Sequence, residues 1–319
     1  MWGLTFLPGL ASAQATVKVD GSSTVFPITE AVAEEFQKSV KGATRVTVGI
    51  SGTGGGFKKF CRGETDVQDA SRPILQKEID ACKEAGISYI ELPVAFDALT
   101  VVVNPKNDWA KSLTVAHLKT IWSPESQGKI TSWNQVDPKF PALPLKLYGA
   151  GSDSGTFDYF TEAINGKAKS TRSDYTASED DNVLVQGVSN DKGAIGYFGM
   201  AYYTENQGRL KAVAVDNGKG GVLPSERTVM DGSYQPLSRP LFIYVSSKSL
   251  EKPEVKAFVD FYLKNVATLA REVKYVPLPE SAYKIGGERV QKKLLGTAFE
   301  GKESIGGKID DLMKKPVKP

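Results

Sequence analysis

The sequence predicts an α/β fold with mostly parallel strands, and two features lead to that prediction. Short apolar segments typical of strands alternate with amphipathic segments typical of helices along almost the whole chain. Three of the strand-like segments also run directly into turns rich in Ser, Thr and Gly, and a helix-like segment follows each turn. With 319 residues, the chain is long enough for two domains and a sizeable core.

The first two of these turns lie near the N-terminus. Residues 21–24 follow a predicted strand at 16–20 and precede a helix with apolar residues at four-residue steps. Residues 51–56 follow a second predicted strand at 46–50. Both therefore stand where a strand ends and a helix begins.

A further strand is predicted to end at Ser71 and Arg72, where Pro73 stops it. The next predicted elements are a helix and two strongly apolar strands, at residues 75–85, 89–94 and 98–103. The third Ser/Thr/Gly turn, at residues 151–156, comes after a loop-rich stretch. It is followed by predicted strands at 193–198 and 241–246 and a helix at 255–267.

Two apolar strands, near residues 100–103 and 240–245, are candidates for crossovers between two lobes. The first lobe is then discontinuous in sequence. We expect it to comprise residues 16–103 and 237–319, with the second lobe at 104–236.

The three turns together predict a site that surrounds a small oxyanion. The N-terminus of a helix carries free backbone N–H groups and the positive end of the helix dipole. Small hydroxylic residues there let an anion approach and add donors of their own. The alternative is that these residues only cap helices and form tight turns. A cap needs one hydroxyl, whereas each of these turns carries several hydroxyls or several glycines.

Charge and the N-terminal segment bear on partners and location. A net charge of +3 with 24% charged residues predicts ordinary solubility and no nucleic-acid partner. Residues 1–10 are apolar and lead into small residues that resemble cleavage sites after Ala13 or Ala15. We interpret residues 1–15 as the remnant of a signal peptide and expect an exported protein. The alternative is a buried first strand, which Pro8 disfavours.

The chain has two cysteines, Cys61 and Cys82. An even number in an exported chain permits one disulfide, and the alternative is two unrelated buried thiols. Their spacing does not suit a metal site, and no metal or cofactor is expected.

The residues of a hydrolase are missing from the sequence pattern. His117 is the one histidine and lies between apolar residues, and no Gly-x-Ser-x-Gly elbow accompanies it. A Gly-x-x-x-x-Gly-Lys-Ser/Thr phosphate loop is also absent from the sequence.

The charged residue of most interest is Arg72, which is either a surface arginine or a bidentate donor to an oxyanion.

Five motifs, in this order and spacing, resemble the periplasmic phosphate-binding proteins that serve the high-affinity phosphate ABC importer. They lie at residues 20–27, 51–57, 70–74, 152–157 and 193–197, and the resemblance runs from about residue 16 to about residue 300. It implies a two-lobed clamshell of the type II binding-protein fold with two crossover strands and phosphate in the cleft. It further implies a monomer outside the cytoplasm, a membrane permease as partner, and no covalent chemistry.

The turns and the resemblance together give a set of predicted phosphate-binding residues. They are Ser23, Thr24, Val25, Ser51, Gly52, Thr53, Ser71, Arg72, Ser152, Ser154, Gly155 and Thr156.

Two positions depart from the pattern of the best-known family members. Arg72 stands where those members have an Asp that accepts the proton of monohydrogen phosphate, and Ala150 stands where they have an Arg. We therefore expect Arg72 to supply the only full positive charge of the site. The proton acceptor is then Asp153 or Asp97. Because its identity is open, a receptor for sulfate, molybdate or arsenate is an alternative. A secreted phosphatase that uses Ser154 or Ser51 is a further one.

Overall fold

The computed structural model describes residues 14–152, 154–178, 180–299, 309 and 313–318 of the chain. The predicted signal-peptide remnant lies almost entirely outside these residues, and so does Asp153. Ala15, the last residue of that remnant, begins the first strand. Within the described part of the chain, the helices are too short or too polar to cross a membrane.

The N-terminal third alternates strands and helices, as predicted. Its elements are β1 (Ala15–Gly21), α1 (Phe26–Ser39), β2 (Thr44–Ile50), α2 (Gly52–Phe60), β3 (Val67–Ala70), α3 (Gln76–Glu84) and β4 (Tyr89–Val103). Pro27 lies in the first turn of α1, where its missing N–H is not needed.

The middle of the chain forms a second set of elements. They are β5 (Ser112–Thr114), α4 (Val115–Trp122), β6 (Lys146–Ala150), α5 (Gly155–Asn165), β7 (Thr176–Ser178), α6 (Asp181–Asn190), β8 (Ala194–Gly199), α7 (Met200–Glu205), β9 (Lys211–Ala212), β10 (Ala214–Asp216), β11 (Gly221–Val222) and α8 (Glu226–Met230). Gly166 ends α5 in a left-handed conformation with φ +82°, which glycine adopts without strain.

The C-terminal part of the chain packs with the first set of elements. Its elements are β12 (Ser238–Ser246), α9 (Pro253–Glu272), β13 (Val276–Pro277) and α10 (Glu280–Gln291). The strands join in the order β2-β1-β3-β12-β4-β8-β6-β7, with β13 and β9 also paired to β4. Pairs within each outer group are parallel, and β12 and β4 are antiparallel to their neighbours. The sheet is therefore mixed. The predicted α/β class is confirmed, whereas the expectation of mostly parallel strands is wrong, because β12 and β4 at the centre of the sheet are antiparallel to their neighbours.

One strand, β4, replaces the two that the sequence predicts between residues 89 and 103. It runs unbroken for 15 buried residues through Pro93. The register to β12 shifts beside Pro93, opposite Leu241 and Phe242, so the irregularity falls where proline cannot donate a ladder hydrogen bond.

β4 changes partner along its length, from β12 at residues 89–98 to β8 at residues 99–103. We propose that the lobes divide as the sequence predicts: lobe 1 comprises residues 16–103 and 237–319, and lobe 2 comprises residues 104–236. β4 and the start of β12 then connect the lobes.

Aromatic contacts fix the helices that begin at the Ser/Thr/Gly turns. In lobe 1, α1 packs on α9 through Phe36 and Phe258, whose ring centroids are 5.4 Å apart. In lobe 2, Phe160 of α5 stacks on Tyr197 of β8 with centroids 3.6 Å apart. Aromatic pairs of this kind contribute about 0.5–1.5 kcal/mol beyond the burial of their area. The N-terminus of each helix is thereby held at the carboxyl ends of the strands.

The structure joins Cys61, the C-cap residue of α2, to Cys82 of α3 in a disulfide. The sequence separation of 21 residues makes this a short loop that folds back on its parent helix. A link of this length stabilises the folded chain by about 3 kcal/mol, because it restricts the unfolded ensemble.

We expect thiol titration of the denatured, unreduced protein to find no free thiol. The Cys61→Ser/Cys82→Ser protein should then lose about 3 kcal/mol of unfolding free energy in urea. Two free thiols per chain in the wild-type protein would contradict the disulfide.

Candidate anion-binding site

The first and third Ser/Thr/Gly turns face each other across the junction of the lobes. A Cβ atom added to Gly155, at the start of α5, would lie 2.6 Å from the Thr24 hydroxyl oxygen. Thr24 itself is buried. Gly155 thus allows a contact between the lobes that a side chain would prevent. Both turns lie at the carboxyl ends of parallel strands, where α/β folds bind ligands.

The third turn has a hydroxyl donor that its helix cap does not use. The Ser154 hydroxyl oxygen accepts a hydrogen bond from Thr156 N at 3.1 Å and caps α5. The hydroxyl hydrogen of Ser154 is therefore not used by the cap. Ser152 and, in the first turn, Ser23 are solvent-exposed.

The second turn is tied into lobe 1. The Thr53 hydroxyl lies 3.1 Å from that of Ser71 and accepts from Ser71 N at 3.1 Å. Ser51 donates its hydroxyl to the Asp20 carboxylate, and Ser51 N donates to Gly21 O at 3.1 Å. Both donors of Ser51 are therefore used within the protein, which differs from the role predicted for it.

Arg72 is paired with a carboxylate. Its Nη1 and Nη2 donate to the two oxygens of Glu78 at 2.9 and 2.8 Å. This bidentate geometry is the strongest that an arginine and a carboxylate form. The guanidinium is about one-fifth exposed and lies 6.0 Å from the centre of the Phe57 ring.

A second guanidinium, which the sequence reasoning missed, belongs to Arg239 on β12. Its Nη2 lies 3.4 Å from the Thr24 hydroxyl and 3.4 Å from an oxygen of Asp97. Its central carbon lies 3.7 Å from the centre of the Tyr159 ring. The buried Nε has no hydrogen-bond partner among the described residues. The expectation that Arg72 is the only full positive charge at the site is therefore wrong.

A repeated tripeptide in the sequence could have pointed to Arg239. Ser-Arg-Pro occurs at residues 71–73 and again at 238–240, and both copies line one cavity of about 360 Å³ between the lobes. Tyr159 and Gln235 also line it. Ala150, which stands where the best-known family members have an arginine, is buried.

Asp97 lies opposite Arg239 in the β4–β12 register, so the two side chains share one face of the sheet. Burial raises the pKa of the Asp97 carboxyl, and Arg239 offsets part of that rise. A buried carboxylate beside a guanidinium can accept a hydrogen bond from a protonated oxyanion. Asp153, the other candidate acceptor, lies outside the described residues.

A two-lobed α/β fold with Ser/Thr/Gly turns at the junction of its lobes is typical of solute-binding proteins of the clamshell class. The chain matches the model of the PBP superfamily domain over residues 8–266. It is 58% identical over 306 residues to the protein SphX of Synechococcus elongatus, an alignment that covers 95% of this chain and 90% of that protein.

Two further comparisons narrow the family. The chain is 41% identical to the phosphate-binding protein PstS of Staphylococcus saprophyticus, over 85% of this chain and 82% of that protein. The crystal structure of a possible phosphate binding protein from Planctomyces limnophilus is 52% identical and superposes with a TM-score of 0.83, over 89% of this chain and 100% of that chain. The chain belongs to the PBP superfamily, within the family of PstS-like phosphate-binding proteins, and the predicted resemblance is confirmed.

Proposed function

We propose that this protein captures inorganic phosphate between its lobes and delivers it, outside the cytoplasm, to the permease of an ABC importer. The observation that carries the proposal is the meeting of Thr24, Gly155 and Arg239 at one point. Hydroxyl and backbone donors from both lobes there can replace the hydration of an anion. The names of the relatives support the same function, and so do the apolar residues 1–10 with the small residues that follow them.

The proposed ligand set follows from the contacts described above. Thr24, Ser154, Gly155 and Thr156 supply hydroxyl and backbone donors, and Arg239 supplies charge. Ser71 and Arg72 line the cavity beside Arg239, Thr53 is joined to Ser71 by hydrogen bonds, and Val25 and Gly52 remain predicted ligands. The protein acts by binding and lobe closure, which is the change that the permease detects, and performs no covalent step.

Titration calorimetry tests the proposal with phosphate, sulfate and arsenate at two pH values, on protein freed of bound anion by unfolding and refolding. We expect one phosphate per chain and much weaker sulfate binding. If another oxyanion binds more tightly than phosphate, that oxyanion is the ligand instead. Turnover of a chromogenic phosphate ester would instead indicate a hydrolase.

Asp97→Asn is expected to reduce the preference for phosphate over sulfate by about tenfold or more, which is about 1.4 kcal/mol. An ionised Asp97 accepts the proton of monohydrogen phosphate but repels sulfate, which has no proton to donate. The ratio of the two dissociation constants measures the effect. Asp108→Asn, an exposed site, is the control. An unchanged ratio would exclude Asp97 as the acceptor.

The same role predicts a pH dependence. Because the pKa of Asp97 is raised from 3.8, Asp97 gains its proton at a higher pH than an ordinary aspartate. As pH falls through that raised pKa, the ionised acceptor is lost, and phosphate affinity should decrease. The Asp97→Asn protein should lack this part of the decrease, whereas an identical profile in both proteins would contradict the role.

A further inference from the structure

Helices α2 and α3 lie face to face behind the Arg72 side of the cavity. Gly54, Phe57 and Cys61 fall on one stripe of α2, at spacings of three and four residues. Glu78 and Cys82 are one turn apart on α3 and share a face. The disulfide joins the two stripes at one end, about 10 Å along α2 from Gly54.

The other end of this contact holds the Arg72–Glu78 pair. A Cβ added to Gly54 would lie 3.8 Å from Arg72 Nη2 and 3.9 Å from Glu78 Oε1, so the pair rests on the first turn of α2. Glu78 Oε2 also accepts from Leu75 N at 2.9 Å, at the start of α3. The Glu78 side chain is only 9% exposed. Helix α3 thus fixes the carboxylate, and the carboxylate fixes the guanidinium.

We propose that Glu78 is a positioning residue of the anion site, which holds the Arg72 guanidinium at the cavity wall, and that the Cys61–Cys82 disulfide holds the helix that carries Glu78. The proposal rests on the proposed function, because it requires Arg72 to act on bound phosphate. On charge alone, the negative Glu78 carboxylate would be expected to weaken the binding of an anion.

A pure charge effect and a positioning role of Glu78 predict opposite changes in the phosphate affinity of the Glu78→Gln protein. Removal of a negative charge near an anion site strengthens anion binding if charge alone acts. Loss of the bidentate pair releases the guanidinium and weakens binding, since a less ordered donor must be immobilised by the ligand. The direction of the change therefore tests the proposal.

We expect Glu78→Gln to weaken phosphate binding by about tenfold in calorimetry performed well below the unfolding transition of the variant. Glu84→Gln is the matched control, because it removes the same charge from an exposed position on α3 and should bind as the wild-type protein does. Unchanged or tighter binding by the Glu78→Gln protein would overturn the positioning role.

A double-mutant cycle with Arg72→Ala gives a readout that a purely structural role would not change. If Glu78 acts through Arg72, Glu78→Gln should cause no further loss of affinity in the Arg72→Ala protein, where only the effect of the removed charge remains. The Cys61→Ser/Cys82→Ser protein, measured well below its unfolding transition, should also bind more weakly, and that loss too should vanish without Arg72. Equal losses in both backgrounds would overturn the proposal.

The outcomes separate this inference from the proposed function. A wild-type protein that does not bind phosphate overturns the proposed function and the role of Glu78 with it. A wild-type protein that binds phosphate, together with a Glu78→Gln protein of equal affinity, overturns the role of Glu78 alone.

Discussion

Gly155→Val should weaken phosphate binding by at least about a hundredfold, or about 2.7 kcal/mol, while the protein remains folded. The added side chain would enter the space of the Thr24 hydroxyl, 2.6 Å from the first new atom. It would hold the lobes apart and cover the backbone donors at the start of α5. The position has no left-handed backbone requirement, so valine can adopt the local conformation.

Calorimetry with phosphate measures this loss, and far-UV circular dichroism and the thermal midpoint report on folding. Gly287→Val on α10 is the matched control, because an added Cβ there meets no atom within 4 Å. Near wild-type affinity in a folded Gly155→Val protein would mean that phosphate binds elsewhere.

Arg239→Ala should have an effect of similar size. Loss of a charged donor to a buried anion costs about 2–5 kcal/mol, which is roughly thirtyfold to several thousandfold in affinity. The substitution also leaves Asp97 beside the anion without its guanidinium.

Arg62→Ala provides the control for the loss of positive charge. Arg62 lies on lobe 1, its side chain is 60% exposed, and it pairs with Glu64. Its removal should leave the affinity within about twofold, because exposed pairs interact weakly. If Arg239→Ala binds phosphate as tightly as Arg62→Ala does, Arg239 is not a ligand.

The parts of the fold that depend on local pattern could be predicted from the sequence. The alternation of strands and helices follows from nearby residues, and so does the start of a helix at each Ser/Thr/Gly turn, although α2 and α5 already begin within their turns, at Gly52 and Gly155. The contact of Thr24 with Gly155 is also consistent with the expectation that the turns surround one point. The continuity of β4 through Pro93 depends on the shifted register with β12, which residues 89–103 alone do not determine.

The polar contacts of the site depend on pairing between distant segments. Ser51 donates to Asp20 because Asp20 lies opposite Gly49 in the β1–β2 register, and a Cβ on Gly49 would meet the Asp20 carboxylate at 2.4 Å. Arg239 reaches Thr24 because β12 joins the sheet beside β3, which in turn pairs with β1. A sequence pattern with a period of two or 3.6 residues carries no information on either pairing.

In the proposed site, Arg72 and Arg239 would supply the positive charge that an arginine at the position of Ala150 supplies in the best-known family members. Each guanidinium is oriented by a carboxylate, Arg72 by Glu78 and Arg239 by Asp97. Their donor groups are thereby held before the ligand arrives, which lowers the entropy lost on binding. The carboxylates also reduce the net positive charge, so binding depends on hydrogen-bond geometry more than on charge.

A crystal structure with phosphate added at a stoichiometric concentration tests the central claim most directly. We expect one phosphate between the lobes, with its oxygens within hydrogen-bond distance of the Thr24 hydroxyl, Gly155 N and the Arg239 guanidinium. Phosphate bound away from these three groups would contradict the account. A cleft that remains empty although phosphate was added would contradict it as well.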